Sequence, residues 1–148
     1  MVMRAVIVRN PAIMSLRSRL AAAILVSAAC ASTLVQAQVA VVLNSRDASV
    51  SLIDQQTFSE VGRVDVGKEP HHLYPKPDGK SLIVANAISN DLHFLDPVTG
   101  QMQRRVRNID DPYQIGFSPD NKWFVAVGLR LDRVDLYLYD GKDITVAK

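Results

Sequence analysis

Residues 70–80 read PHHLYPKPDGK and residues 112–122 read PYQIGFSPDNK, an offset of 42. Pro70 matches Pro112, Leu73 matches Ile115, Pro77-Asp78 matches Pro119-Asp120, and Lys80 matches Lys122. The register continues on both sides. SLIVAN at 81–86 matches WFVAVG at 123–128 and, more weakly, VAVVLN at 39–44. ASVSLID at 48–54 matches NDLHFLD at 90–96. RVDLYLYD at 133–140 joins them after a two-residue insertion, which the alignment places in residues 129–132, and Asp54, Asp96 and Asp140 all close the element. A repeat of this length constrains the fold more than composition does, because each unit buries its faces only against its neighbours.

The elements inside each unit are strands. Short apolar or alternating runs rich in Val, Ile, Tyr and Phe are bounded by turn residues. Pro77-Asp78-Gly79-Lys80 reads as a tight turn with Pro at its first position, and Pro119-Asp120-Asn121-Lys122 repeats it, with Asn as the next residue most tolerant of the left-handed region. No 3.6-residue apolar stripe is sustained beyond the N-terminal segment. Strands 8–12 residues apart with a period near 42 imply four antiparallel strands per unit, an all-β propeller blade.

The motif P-x-x-(I/L)-x-x-(S/K)-P-D-(G/N)-K, followed by a strand ending at Asn and then N-D-L-x-F-L-D, resembles the YVTN (YncE-like) family of bacterial β-propeller repeats. The family tetrad falls on Ile83-Val84-Ala85-Asn86, and Gly128 departs from its Asn. The resemblance covers residues 39–148 and implies about two and three-quarter blades of a propeller that usually has seven. With strands lettered A to D from the centre outward, the resemblance implies A at His71–Lys76, B at Ser81–Asn86, C at Asp91–Asp96 and D at Met102–Arg107. The whole then runs B-C-D, A-B-C-D, A-B-C-D. It implies an N-terminal piece of a longer propeller, with open edges that favour self-association. Alternate connections lie on opposite faces. The D-to-A and B-to-C connections (44–47, 67–72, 86–90, 109–113 and 128–132) therefore meet at one rim, where propeller function concentrates.

Residues 1–37 read as an address. They hold four Arg and no acid, and Leu20–Ala29 is a short apolar run after Arg17 and Arg19. Val35-Gln36-Ala37 suits cleavage before Gln38, so 1–37 is expected to be a secretory signal peptide, with Met14 opening a more typical start. The product is then periplasmic or secreted, with no stable span after cleavage. A retained span is disfavoured by Gln36 and Gln38, and a lipidated Cys30 by the missing Leu three residues before it. Cys30 is the single cysteine, so the exported body has no disulfide. Of the 17 basic residues 13 remain after the four N-terminal arginines, against 15 acidic ones. A slightly acidic body is not a nucleic-acid binder.

Rim candidates follow from the strand lettering: His71, His72, Asn86, Asn90, Asp111, Tyr113, Gln114, Arg130 and Asp132. His71-His72 opens an inner strand. Alternation lets only one of the two face the channel, as a weak metal or haem ligand or a general base. Their counterparts Tyr113-Gln114 supply no second histidine. Asp110-Asp111 reads as a polar connector, with cation binding the alternative. Asn86, Asn90, Asp91, Arg130 and Asp132 read as turn formers able to hold a polar ligand. Arg104, Arg105 and Arg107 read as guards of an outer edge. Trp123, Phe124, Tyr137 and Tyr139 read as packing between blades.

The expected function is a non-catalytic exported binding module. It would take an unidentified protein or small polar ligand at the rim and need no cofactor. Two alternatives come from resemblance. Bacterial sugar-lactone hydrolases contain similar P-x-H units and a D-R-V-x-x-Y-x-x-D stretch like 132–140, which would set His71 or His72 and Asp132 beside a substrate. The haem-binding propeller of nitrite reductases would use His71 or His72 as a ligand.

Overall fold

The computed structural model describes residues 39–147. The expected signal peptide, with Met14 and Cys30, lies outside the described residues. Among the described residues eleven strands follow in chain order. The first sheet holds β1 (Val39–Asn44), β2 (Ser49–Asp54) and β3 (Glu60–Asp65). The second holds β4 (Pro70–Pro75), β5 (Leu82–Asn86), β6 (Asp91–Leu95) and β7 (Met102–Arg107). The third holds β8 (Gln114–Phe117), β9 (Trp123–Gly128), β10 (Arg133–Tyr139) and β11 (Ile144–Val146). Every pairing is antiparallel between chain neighbours, so the sheets are blades of three, four and four strands. The B-C-D, A-B-C-D, A-B-C-D order is the one observed.

The recurring aspartates make the turns. Asp54 Oδ1 accepts the backbone N–H groups of Gln56 and Thr57 at 2.9 and 2.7 Å. Asp96 does the same for Val98 and Thr99, and Asp140 for Lys142 and Asp143. Such side-chain caps bend the chain between C and D without help from distant residues. At the other turns Gly79 N–H donates to the Lys76 carbonyl and Asn121 N–H to the Ser118 carbonyl. Pro77 and Pro119 therefore occupy the second turn position, not the first as expected, where their fixed φ suits the turn. Gly79 and Asn121 take the left-handed conformation, with φ of 69° and 55°.

Register moves the insertion of the third unit. Asn44 pairs with Ser49, Asn86 with Asp91 and Gly128 with Arg133, so all three B-to-C loops have four residues. The two extra residues lie at the far end of β10, which runs to Tyr139, where its N–H donates to the Lys122 carbonyl. Residues 129–132 carry no insertion.

Apolar contact between blades forms the core. Leu92, Phe94, Ile83 and Ala85 of blade 2 pack on Ile115, Phe124, Ala126 and Tyr137 of blade 3. Val84 and Leu95, on the opposite face of blade 2, pack with Val50 and Leu52 of blade 1. Tyr137 and Tyr139 are buried as expected, and Phe124 is fully buried. Trp123 differs, being 39% exposed, because it precedes Phe124 and points to the other face of β9. Two of the presumed edge guards also have structural partners. Arg105 donates to the buried Asp91 carboxylate at 2.7 Å through Nε, and Arg104 donates to the Lys142 carbonyl and stacks over Phe94.

Candidate functional site

The rim is built from the residue that ends each loop. Ala48, Asn90 and Asp132 close the three B-to-C loops with φ of 52°, 55° and 47°. Glu69 and Asp111 close the two D-to-A connectors with φ of 56° and 43°, each directly before a proline. Non-glycine residues in this region are strained, and a following proline adds to the cost. The strain recurs at matching positions, so it belongs to the unit and marks the same point in each loop of a kind.

Hydrogen bonds hold the path between blades 2 and 3. Asn90 Oδ1 accepts the Asp111 N–H at 2.9 Å. The buried Asp111 carboxylate accepts the Arg130 N–H at 2.6 Å and Arg130 Nε at 3.0 Å. The Arg130 guanidinium also donates to the Ala87 carbonyl at 2.6 Å, tying the B-to-C loop of blade 3 to that of blade 2. Asp110 pairs with Arg133 at 2.8 Å. Each carboxylate of Asp110-Asp111 thus faces an arginine, which favours the polar-connector reading of that pair over cation binding. Asn90, Asp110, Asp111, Arg130, Leu131 and Arg133 line a cleft of about 480 Å³, and half of the Arg130 side chain faces solvent.

A second group lies on the inner strands. A bulge between Pro70 and His72 breaks the alternation of β4. Both imidazoles therefore meet blade 3, His72 at β8 and His71 at Tyr113 just before it, against the expectation that adjacent residues face opposite ways. His71 Nδ1–H donates to the Tyr113 carbonyl at 3.0 Å, and its ring stacks on the Tyr113 ring with centroids 3.4 Å apart. His72 Nδ1 accepts the Ile115 N–H at 3.0 Å. Burial, and secondly the neighbouring His71, hold the His72 imidazole below its ordinary value. Each imidazole uses its Nδ1 on a main-chain group of blade 3, so a haem or metal would have to be met through Nε2. Among the described residues no group of three or more His, Cys, Asp or Glu side chains is placed to hold a metal ion.

The remaining candidates divide. Tyr113, Gln114 and Asp132 line a cavity of about 510 Å³ with Gly128 on blade 3. Asn86 is not at the surface. It ends β5 fully buried, and its Nδ2 donates to Asp91 Oδ1 at 2.8 Å. Asp91 too is buried, at the start of β6 and not in the loop. His93 lies beside that pair, its Nε2 3.6 Å from Asp91 Oδ2. Burial first, and Arg105 to a lesser degree, hold the His93 imidazole low, while Asp91 opposes them. The connector before blade 2 passes so close that a Cβ at Gly67 would lie 2.6 Å from Asp91 Oδ1 and 2.7 Å from Asn86 Cβ. Arg133 and the Ala87 carbonyl are rim groups that were not singled out from sequence. Arg133 sits in the D-R-V stretch, but a main-chain carbonyl carries no sequence signal.

Solved structures with this architecture include the hydrazine synthase of Kuenenia stuttgartiensis, 24% identical over 73% of this chain and 31% of that one, with a TM-score of 0.60. The periplasmic gluconolactonase PpgL of Pseudomonas aeruginosa is 17% identical, with a TM-score of 0.62 over 75% of this chain and 36% of that one. The dihydro-heme d1 dehydrogenase NirN is 20% identical, with a TM-score of 0.57 over 76% and 24%. Such similarity shows a shared fold, and this chain spans between 24% and 36% of the length of these three structures. No curated protein matches the sequence. The family description that does match, over residues 2–148, is that of the YNCE-like β-propeller, the motif, blade order and strand register agree with it, and the chain belongs to that family.

Proposed function

We propose that this chain is a non-catalytic, exported propeller module that holds a small polar ligand, or a polar loop of a protein partner, at its D-to-A and B-to-C rim. The observation that carries the reading is Arg130. One guanidinium ties together the loops of two blades through Asp111 and the Ala87 carbonyl, yet remains half open to a cleft. A site fixed before the ligand arrives loses less freedom on binding. Asp110 and Asp111 balance Arg130 and Arg133, which favours a neutral or zwitterionic polar ligand over a bare anion. Export rests on the uncharged N-terminal run, and the likeness to a periplasmic propeller supports it.

Ligand-observed NMR with neutral sugars, free amino acids and gluconolactone tests the reading. Binding by a neutral or zwitterionic compound that weakens at least tenfold in Arg130→Ala is the expected result. No binding at millimolar concentration overturns it. Hydrolysis of gluconolactone in proportion to protein would replace it with an enzyme. A haem absorption band lost in His71→Ala would replace it with a redox module.

A further inference from the structure

We infer that the rim cleft between blades 1 and 2 is a binding site for a small monocarboxylate with an apolar tail. It is a different cleft from the one around Arg130, and neither reading rests on the other.

The cleft has a volume of about 520 Å³ and is enclosed by the B-to-C loop of blade 1, the connector before blade 2 and the B-to-C loop of blade 2. Its walls are held by main-chain groups and serines. Ser45 Oγ donates to the Pro70 carbonyl at 2.7 Å, and the Val66 N–H to the Ala48 carbonyl at 2.9 Å. The Lys68 carbonyl accepts the Ile88 N–H at 3.2 Å, and the Glu69 carbonyl accepts the Ala87 N–H at 2.9 Å. The Lys68 N–H donates to Ser89 Oγ. These bonds fix three segments against one another and use none of the charged heads. Arg46, Lys68 and Glu69 line the cleft, and their side chains make no ion pair or hydrogen bond among the described residues. Asp47 differs, because Arg63 stands 3.8 Å away. Two uncommitted cations therefore face one uncommitted carboxylate, on a scaffold set before any ligand arrives.

The repeat shows how far this cleft departs from the next one. An offset of 42 sets Lys68 against Asp110, Glu69 against Asp111 and Ile88 against Arg130. Between blades 2 and 3 the charged side chains themselves tie the walls together, Arg130 to Asp111 and Arg133 to Asp110. Between blades 1 and 2 an acid has become a lysine. The bridging arginine has become Ile88, an isoleucine 49% exposed, so Glu69 lacks the partner that Asp111 has. The first junction thus combines one net uncommitted positive charge with an apolar contact. Each part selects a feature of the ligand. The Arg46 guanidinium presents a planar fork that suits a carboxylate, and Lys68 adds a point charge. Glu69 repels a second negative charge, which favours a monoanion over a dianion such as a phosphate ester. Ile88 gains by covering an aliphatic tail.

Ligand-observed NMR on the full chain tests this with four probes. They are 4-methylpentanoate, its uncharged amide, acetate, which lacks the tail, and 3-methylbutyl phosphate, which carries the second charge. The first is expected to bind about tenfold more tightly than each of the others. Arg46→Ala and Lys68→Asp, the latter importing the acid found at position 110, are each expected to weaken it about tenfold, and Ile88→Ser by a smaller factor. All three substitutions fall on exposed positions, and circular dichroism confirms that each variant folds. Arg130→Ala is expected to leave 4-methylpentanoate binding unchanged, which separates this cleft from its neighbour. No binding of 4-methylpentanoate at millimolar concentration overturns the inference. Equal binding of the amide or of acetate also overturns it, and so does a phosphate ester that binds as tightly. Binding that survives Arg46→Ala but is lost in Arg130→Ala overturns it too and assigns the ligand to the other cleft.

Discussion

Gly67 shows how closely one connector approaches the next blade. Its φ is not left-handed, so an added methyl meets only a space problem, set by Asp91 Oδ1 and the Asn86 side chain. They are fixed by a hydrogen bond to each other, and Asp91 also by one from Arg105. Gly67→Ala is expected to lower stability by about 1–3 kcal/mol, read as a lower urea midpoint at an unchanged slope. Ala48 poses the opposite case, with a side chain at φ 52° where glycine costs nothing sterically. Ala48→Gly is expected to be neutral or to stabilise by up to about 1 kcal/mol, although glycine normally weakens a folded chain. At this scale the sequence was partly readable. The aspartates at 54, 96 and 140 stood out because each caps its own turn, an interaction that depends only on neighbours. The turn position of Pro77 and the direction of the His71 ring were not readable. The first depends on which carbonyl closes the turn, and the second on a bulge in the pairing of β4 with β5.

Elements in this molecule gain their stability sideways. Phe124 on β9 has no exposure and meets Phe117 and Tyr137 edge-on or tilted, with centroids 5.3 and 5.9 Å away. Phe124→Ala is expected to cost about 3–5 kcal/mol. Because the cavity opens at the contact with blade 2, hydrogen exchange is expected to accelerate on β5 and β6 as well as in blade 3. The strands follow from sequence because apolar periodicity and turn residues are local signals, and their lettering follows from the family resemblance. From sequence the extra residues of the third unit fall in a loop, because loops usually absorb insertions. Register places them at the end of β10, where Tyr139 pairs with Lys122 and its hydroxyl donates to the Gly141 carbonyl. Rim pairs such as Asp111 with Arg130 are 19 residues apart and join a connector to a later loop. No spacing rule within one element reveals such a pair.

For the whole molecule, acid acts in two stages. His72 and His93 are held below their ordinary value of 6.5, chiefly by burial. In the window below 6.5 the unfolded chain therefore binds more protons than the folded one. The stability they contribute is full above that pH and is lost as pH falls through the folded values. Asp54, Asp78, Asp96, Asp120 and Asp140 are held below 3.8 by hydrogen bonds from turn N–H groups or, at Asp78 and Asp120, first from Lys76 and Ser118. Their contribution is present above about 4 and lost as pH falls further. Thermal midpoints are expected to decline gently below pH 6.5 and steeply below pH 4. A chain carrying His72→Gln, which imports the residue found at Gln114, together with His93→Asn, is expected to lose the first decline and keep the second. Equal slopes between pH 7 and 5 in both proteins would refute this assignment.

The three B-to-C loops share one length and one left-handed final residue, while their side chains are Ser45-Arg46-Asp47-Ala48, Ala87-Ile88-Ser89-Asn90 and Leu129-Arg130-Leu131-Asp132. Backbone shape and side-chain chemistry are thereby uncoupled. A four-residue cassette is expected to move from one blade to another with both strand registers kept, so the side chains shown at the rim can be rewritten by substitution alone, in evolution or in the laboratory, without a new fold having to be found.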